Sequence, residues 1–246
     1  MGDPDLKYDN QAISVDCVVF GFDGRALKAL LIKRRRGGQD ADDWKLPGSL
    51  IADAEDLEGA ALRVMTELTG LGDVRLRQME VFSDPRRVEG EELQWINDYY
   101  KVRISRVVTV VFYAMVKLDE RLTEYTARKN ARWVDLHEVK RLALDHNRIL
   151  IAAMDFVMQR FQQEPVAFEM LPRKFTIRQL QNLYEAVLGI EIDNRNFRKK
   201  ILSQGYIIPL DEKESGVAHK PAQLYRFDRK IYERKNKVKF KLNFLH

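Results

Sequence analysis

Two strand-like segments followed directly by a helix-like segment constrain the fold of this chain more than any other feature. Residues 13–22 and 26–33 are rich in apolar residues, and the Asp23-Gly24 dipeptide between them favours a hairpin turn. Residues 56–69 then carry apolar side chains at helical spacing, and Gly70 ends that pattern. We therefore predict a β-hairpin joined through a short segment to an amphipathic helix.

Further elements extend this pattern to residue 163. Strands are predicted at residues 78–82, 107–116 and 131–135, and a last helix at residues 147–162. The predicted fold class is α+β, with an α/β/α sandwich around a mixed sheet in residues 1–163. The charged and aromatic segment 83–106 is predicted as a long loop, which we expect to be a lid, a binding loop or disordered.

Residues 164–246 are predicted to form a second domain. A T-x-x-Q capping box at Thr176 starts an amphipathic helix, and Asp193 can cap a second helix. Strands predicted at residues 206–210 and 223–228 flank a polar hairpin. Two helices separated by a tight turn and followed by a hairpin are typical of a winged helix-turn-helix domain.

The formal net charge of +5 is unevenly divided along the chain. From Val166 to the end there are 17 lysines and arginines against nine acidic residues, whereas residues 1–165 carry 25 against 28. A basic surface for a polyanionic partner is therefore expected in the C-terminal domain. The single cysteine, Cys17, excludes an intramolecular disulfide framework. Because the sequence shows no signal-peptide pattern and no apolar stretch of about 20 residues, we expect a cytoplasmic protein without membrane contact.

The second C-terminal helix carries the candidate contacts to double-stranded DNA. Phe197, Ile201 and Leu202 define its buried side on a helical wheel. Arg198 lies near the apolar edge, where we expect it to extend its stem along that edge or to touch a phosphate. The candidate DNA-binding residues are Arg195, Asn196, Arg198, Lys199, Lys200 and Ser203 on the helix and Lys220, beside His219, on the wing. A solvated basic face is the alternative.

The C-terminal tail has a different pattern from the helices before it. Val238, Phe240, Leu242 and Phe244 alternate with lysines, which predicts a strand with one apolar and one basic face. Packing of the tail on its own domain or on a partner subunit is one interpretation. A DNA-contacting arm is the other.

The segment from Trp44 to Leu71 resembles the Nudix box of metal-dependent hydrolases, which reads G-x5-E-x7-R-E-U-x-E-E-x-G-U with U an aliphatic residue. The matching residues are Gly48 in the preceding Trp-Lys-Leu-Pro-Gly stretch and Glu55, Arg63, Glu67, Gly70 and Leu71 in the box itself. Ser49 replaces the first glycine, and Val64 and Leu68 replace two glutamates. Glu55 and Arg63 are expected to form a structural ion pair.

The two lost glutamates change what this helix can do. Positions 64, 67 and 68 share one helix face, which in the hydrolases holds magnesium against a pyrophosphate. Glu67 alone remains, so the resemblance implies no catalytic residue, no efficient hydrolysis and no cofactor. A weakly bound magnesium ion at Glu67 is the one metal that the pattern leaves open.

Several residues of the N-terminal domain are candidates for binding an anionic ligand. The candidates are Arg34, Gly48, Glu67, Arg86, Arg87 and Arg106, with Trp95, Tyr99 or Tyr100 available to stack on a base or sugar. Solvated loop charges or a dimer contact are the alternative interpretation of these arginines. Asp145 is predicted to cap the last helix of the domain, and the neighbouring His146 is not interpreted as a metal ligand.

The degenerate box "RVMTELTGL" together with "FTIRQLQNLYEAVLG" and "DNRNFRKKI" closely resembles the Nudix-related transcriptional regulators of the NrtR family. The resemblance covers nearly the whole chain. It implies a homodimeric repressor that binds operator DNA and senses a small effector, either ADP-ribose or a pentose sugar. The competing hypothesis is an active Nudix pyrophosphohydrolase that acts on ADP-ribose or nucleoside diphosphate sugars.

Overall fold

The computed structural model describes residues 11–34, 43–163, 165–216 and 220–237. The chain divides into two compact units. The first comprises residues 1–23 and 27–163, and the second comprises residues 24–26 and 164–246. Within the described ranges, no helix has the length and apolar character needed to cross a membrane.

The first unit contains a mixed sheet and four α-helices. Its strands are β1 (Gln11–Phe22), β2 (Leu27–Lys33), β3 (Trp44–Lys45), β4 (Gly48–Leu50), β5 (Arg77–Phe82), β6 (Arg106–Lys117) and β7 (Ala131–Asp135). Its helices are α1 (Leu57–Thr69), α2 (Gly90–Tyr100), α3 (Glu120–Ala127) and α4 (His146–Gln163). The strands and helices predicted from the sequence are all present here, with small differences at their ends.

The sheet runs in the order β3-β2-β1-β6-β5, with β4 also paired to β1 and β7 also paired to β2. The central strands β1 and β6 pair in parallel from Gln11 opposite Arg106 to Phe22 opposite Lys117. The remaining pairs are antiparallel. The predicted mixed sheet is therefore confirmed.

Side chains of β1 alternate between the two faces of the sheet, as the period of a strand requires. Cys17 faces α1, where its thiol contacts the carbonyl of Ala61, and both residues are fully buried. Asp16 faces the opposite side, where it meets His146 at the start of α4. Helices thus cover both faces of the sheet, as the predicted α/β/α sandwich requires.

Helix α1 begins at a capping aspartate, ends at a glycine and packs one apolar face on the sheet. The Asp56 carboxylate accepts a hydrogen bond from the Gly59 amide at 2.7 Å, and Gly70 ends the helix in the left-handed region. Ala60, Ala61, Val64 and Met65 are fully buried in a core shared with β1, β2 and β6. This packing fixes which face of α1 stays open to solvent.

The prediction of a continuous loop at residues 83–106 is wrong, because these residues contain the 11-residue helix α2. Ile96 of α2 is buried with Val88 and Val107 in a small apolar cluster beneath it. Leu93, Ile96 and Tyr100, which all pack in this cluster, stand at helical spacing, but this period spans only about two turns and lies among charged residues in the sequence. Helix α3, which Asp119 caps, was also not predicted.

The second unit has the element order of a winged helix. Its helices are α5 (Ile177–Leu188), α6 (Asn194–Ser203) and α7 (Arg229–Lys237), and its strands are β8 (Ile207–Lys213) and β9 (Gln223–Phe227). The predicted capping box is present, with Thr176 and Gln179 exchanging hydrogen bonds of 2.9 and 3.1 Å. Asp193 caps α6 by accepting from the Asn196 amide at 2.8 Å.

The turn between α5 and α6 is held by buried polar contacts. The Gln181 side chain is fully buried, and its amide donates to the Ile192 carbonyl at 2.7 Å and to Glu185 at 2.9 Å. Glu185 also accepts from the Ile192 amide at 3.1 Å. These hydrogen bonds join α5 to the residue just before α6, so the turn fixes the direction in which α6 leaves α5.

The end of the chain is only partly described. Helix α7 ends at Lys237, so the predicted apolar-and-basic strand of the tail lies outside the described residues. His219 at the predicted tip of the wing also lies outside them.

Candidate functional site

A cleft of about 660 Å³ opens in the first unit beside α1, α2 and the segment that precedes β7. Its described lining holds six cations, Lys33, Arg34, Lys45, Arg63, Arg128 and Lys129, and one carboxylate, Glu67. The aromatic side chains that line it are Trp95, Tyr99 and Tyr100 of α2. An excess of positive charge in a concave site attracts an anionic ligand, and exposed rings beside it can stack on a planar group.

The α1 side of the cleft has an ion pair between Arg63 of the helix and Glu55 of the loop before it. Arg63 donates to Glu55 at 2.5 and 2.9 Å and to the Leu50 carbonyl at 3.1 Å. The hydrogen bonds from Arg63 and from the Ala52 amide lower the pKa of Glu55 to about 2. The predicted ion pair is therefore present, and it ties the loop before α1 to the helix.

The residues on this side do not fit a divalent cation. Val64 is fully buried in the core and Leu68 packs against the same core, so neither position offers an oxygen ligand. Glu67 is 60% exposed and lies 3.6 Å from Arg63, which competes with any cation for its carboxylate. Within the described residues, no group of three or more histidine, cysteine or acidic side chains is placed to hold a metal ion.

Helix α2 covers one side of the cleft with a stack of side chains. The Arg34 guanidinium lies 4.1 Å from the centre of the Trp95 ring, and Trp95 stacks on Tyr99 at 5.2 Å. Arg34 is buried and pairs with Glu92 at 2.5 Å and with Asp43 at 3.5 Å. Its charge is therefore already compensated, whereas Tyr99 remains 48% exposed at the open end of the stack.

A buried polar cluster that sequence reasoning missed lies behind the cleft. Asp16, Lys45 and His146 are all buried, and the His146 Nε2 atom lies 3.7 Å from the Asp16 carboxylate. Burial raises the pKa of Asp16 to about 6, lowers that of Lys45 and lowers that of His146 well below its usual value. His146 accepts a hydrogen bond from the Leu46 amide at 2.9 Å, so its role is to hold the β3–β4 segment.

Gly48 is required by the position of Asp16. A Cβ atom at Gly48 would lie 1.7 Å from the Asp16 Oδ1 atom. The Gly48 carbonyl accepts from the Lys45 ammonium at 2.8 Å, so this glycine also helps to satisfy the buried cation. The space beside these groups is about 30 Å³, enough for one or two water molecules rather than for a ligand.

The three arginines of residues 83–106 that were predicted to bind the ligand, Arg86, Arg87 and Arg106, do not line the cleft. Arg87 forms a two-bond ion pair with Asp145, at 2.6 and 2.9 Å, and also donates to the Thr109 hydroxyl. The Asp145 carboxylate thus binds Arg87, while its backbone carbonyl accepts from the Arg148 and Ile149 amides at the start of α4. Arg106 donates to the Ser83 carbonyl at 2.5 Å, and Arg86 is exposed. Arg34, Gly48 and Glu67 are the predicted ligand residues that line the cleft.

In the second unit, the polar face of α6 is open to solvent. Ile201 is buried, and the Phe197 ring contacts Tyr184 of α5 edge-on at 5.5 Å. The exposed residues are Arg195, Asn196, Lys199, Lys200 and Ser203 on α6 and Lys220 before β9. The helix therefore presents basic and amide side chains on the side opposite its core contacts.

Arg198 differs from the other basic residues of α6, because its guanidinium donates to the Tyr225 hydroxyl of β9 at 2.9 Å. Tyr225 is buried, and its backbone exchanges two hydrogen bonds with Phe175 just before α5. Arg198 thus connects α6 to the strand that follows the wing. The predicted position at the apolar edge agrees with this contact.

Comparison with known families assigns both units. The model for the NUDIX domain matches residues 10–153. The chain belongs to the NUDIX family. A second model, described as the NrtR DNA-binding winged helix domain, matches residues 167–227. The arrangement is therefore a NUDIX domain followed by an NrtR-type winged helix.

Individual relatives share this two-domain arrangement. A relative from Acinetobacter baylyi, named "ADPR responsive transcriptional repressor NtrR", is 28% identical over 231 residues, which cover 92% of this chain and 86% of the relative. The structure of Shewanella oneidensis NrtR complexed with a 27mer DNA superimposes with a TM-score of 0.66 at 23% identity, covering 90% of this chain and 95% of that one. A MutT/nudix family protein from Enterococcus faecalis gives a TM-score of 0.62 at 22% identity, covering 91% and 88%.

Proposed function

We propose that this protein is a DNA-binding transcriptional repressor whose NUDIX domain binds ADP-ribose as its effector and does not hydrolyse it. The pairing of an NrtR-type winged helix with a NUDIX cleft that lacks two metal-binding carboxylates carries this proposal. The Acinetobacter baylyi relative, named as an ADP-ribose-responsive repressor, supports the same effector. A cytoplasmic location follows from the need to reach DNA.

The exposed face of α6 supports the DNA-binding part of the proposal. In a winged helix, the second helix of the helix-turn-helix enters the major groove and the wing contacts the backbone. Arg195, Asn196 and Lys199 lie on the exposed side of α6, where basic and amide groups can reach base edges and phosphates. A homodimer would place two such helices on half-sites about one helical turn apart.

The composition of the cleft supports ADP-ribose over a free pentose. The exposed cations Lys33, Arg128 and Lys129 in its lining favour a ligand that carries phosphate charge, and a neutral sugar has none. The exposed Tyr99 ring offers a stacking surface for adenine. The absence of carboxylates at Val64 and Leu68 supports binding without turnover, since the developing charge of hydrolysis would lack its metal.

The test begins with selection of DNA. Random duplexes are enriched on the purified protein, and binding of the enriched sequence is measured by fluorescence anisotropy with and without ADP-ribose. We expect salt-dependent binding that Arg195→Ala and Lys199→Ala both weaken, and an operator affinity that changes when ADP-ribose is added. Failure to enrich any sequence, or rapid release of AMP from ADP-ribose with magnesium, would contradict the proposal.

A further inference from the structure

The cations of the NUDIX cleft fall into two groups, those already paired and those that are open. Arg34 and Arg63 are held by carboxylates, and Lys45 is buried against backbone carbonyls. Lys33, Arg128 and Lys129 are exposed, and among the described residues no ion pair joins Arg128 or Lys129. The Lys33 ammonium lies 5.7 Å from the centre of the Trp44 ring, and no carboxylate of the described ranges pairs with it. The open cations are therefore the ones able to receive a new anion.

The open cations come from neighbouring segments at one end of the sheet. Strands β2 and β7 pair with Ile32 opposite Ala131, so the register places Lys33 beside Asn130. Asn130 has a positive φ of 57°, and this left-handed residue joins the end of α3 to β7. Arg128 and Lys129 precede it directly, which brings three cations to one stretch of the cleft lining, here called the basic wall.

The α1 side of the cleft offers no metal site that could neutralise a diphosphate. In a metal-dependent site, magnesium held by helix carboxylates neutralises a diphosphate. Here Val64 belongs to the core, Leu68 packs against it, and the Glu67 carboxylate lies beside Arg63. A diphosphate that enters the cleft therefore meets protein cations instead of a metal site.

We propose that Lys33, Arg128 and Lys129 bind the diphosphate of the ligand directly and that magnesium takes no part in binding. This inference rests on the proposed function, because it assigns a group of ADP-ribose to one wall of the cleft. Arginine and lysine form short charge-assisted hydrogen bonds to phosphate oxygens. The diphosphate lies between this basic wall and the aromatic wall formed by Trp95, Tyr99 and Tyr100, on which the adenine stacks.

Isothermal titration of the full-length protein with ADP-ribose tests the inference. Titrations are done with EDTA and with millimolar magnesium chloride. We expect the same affinity in EDTA as in magnesium, or a weaker affinity in magnesium because the ion competes for the diphosphate. Arg128→Gln and Lys129→Gln should each weaken binding by about tenfold, the loss expected for one hydrogen bond to a charged group.

Arg121→Gln provides the matched control, since Arg121 is an exposed arginine of α3 that does not line the cleft. We expect this variant to bind ADP-ribose like the wild type. Adenosine, which lacks phosphate, should bind the wild type and the Lys129→Gln variant equally. Melting temperatures of all variants should match the wild type, because the substituted side chains are exposed.

The outcomes separate this inference from the proposed function. Binding that appears only with magnesium, or binding that the Arg128 and Lys129 variants retain in full, overturns the metal-free diphosphate site and leaves an ADP-ribose-responsive repressor intact. Absence of ADP-ribose binding under both conditions overturns the effector assignment and the diphosphate site together.

Discussion

Replacing Arg87 by alanine should destabilise the NUDIX domain far more than replacing its neighbour Arg86. The Arg87 side chain is 3% exposed and its partner Asp145 is 13% exposed, so the variant leaves a largely buried carboxylate without its cation. Breaking a buried ion pair from one side costs about 3–5 kcal/mol. Arg86 is exposed, and a surface substitution of this kind changes stability by about 0.5 kcal/mol or less.

These free energies translate into separable melting temperatures. For a domain of this size, each kcal/mol shifts the melting temperature by about 2–4 °C, so Arg87→Ala should melt about 6–20 °C below the wild type. The three tryptophans, Trp44, Trp95 and Trp133, all lie in the first unit. Tryptophan fluorescence during heating therefore reports the NUDIX domain without a contribution from the winged helix.

A double variant distinguishes loss of the ion pair from a general packing defect. Replacing both partners with apolar residues, as Arg87→Met with Asp145→Leu, removes the unpaired charge and should recover part of the lost stability. The reasoning would be refuted if Arg87→Ala had the same melting temperature as Arg86→Ala. It would also be refuted if the Arg87→Met, Asp145→Leu double variant were less stable than either of its single variants.

Three further predictions follow from the structure. Because the pKa of buried Asp16 is raised to about 6 in the folded protein, its ionisation opposes folding above that pH, and the stabilisation present near pH 4 is lost as the pH rises. Relative to Asp16→Asn, the free energy of unfolding of the wild type should rise by about 1.3 kcal/mol from pH 7 to pH 5 in urea titrations. Parallel pH profiles of the two proteins would contradict this. Gly48→Ala should lower the free energy of unfolding by about 1–3 kcal/mol in the same assay, because the added methyl group meets the Asp16 carboxylate. Combining Gly48→Ala with Asp16→Ala should recover part of this loss, and no recovery would place the strain elsewhere. Arg198→Ala and Tyr225→Phe should each reduce specific DNA affinity without changing its salt dependence, and their effects should be non-additive in the double variant. Lys199→Ala should instead reduce the slope of log affinity against log salt concentration by about one. A similar change of slope in Arg198→Ala would show that Arg198 contacts a phosphate.

The ends of several helices were predicted correctly, because capping residues and left-handed glycines act on their immediate neighbours in the sequence. The capping residues Thr176 and Asp193 start their helices as predicted, since each cap acts within three residues of its own position. Gly70 likewise ends α1 because a left-handed residue is needed there. Helix α2 was missed since its stability comes from packing over a distant part of the chain, with Arg34 beneath Trp95.

The site was predicted less completely than the fold, because burial depends on contacts between distant segments. Asp16, Lys45 and His146 come from β1, β3 and the start of α4, and no short pattern links them. Arg86 and Arg87 are adjacent and identical in type, yet one is exposed and the other pairs with Asp145. The sequence therefore identified candidate anion-binding arginines but did not show which of them form ion pairs within the folded domain.

The burial of Val64 has a consequence for any attempt to restore enzymatic activity. This side chain is fully enclosed by apolar neighbours of α1 and the sheet, so a glutamate introduced there would place an ionised group in the interior. Leu68 is only partly buried and lines the cleft, so a glutamate there would meet solvent. Reinstating the acid at residue 64 would therefore require redesign of the surrounding apolar core, whereas the acid at residue 68 would not.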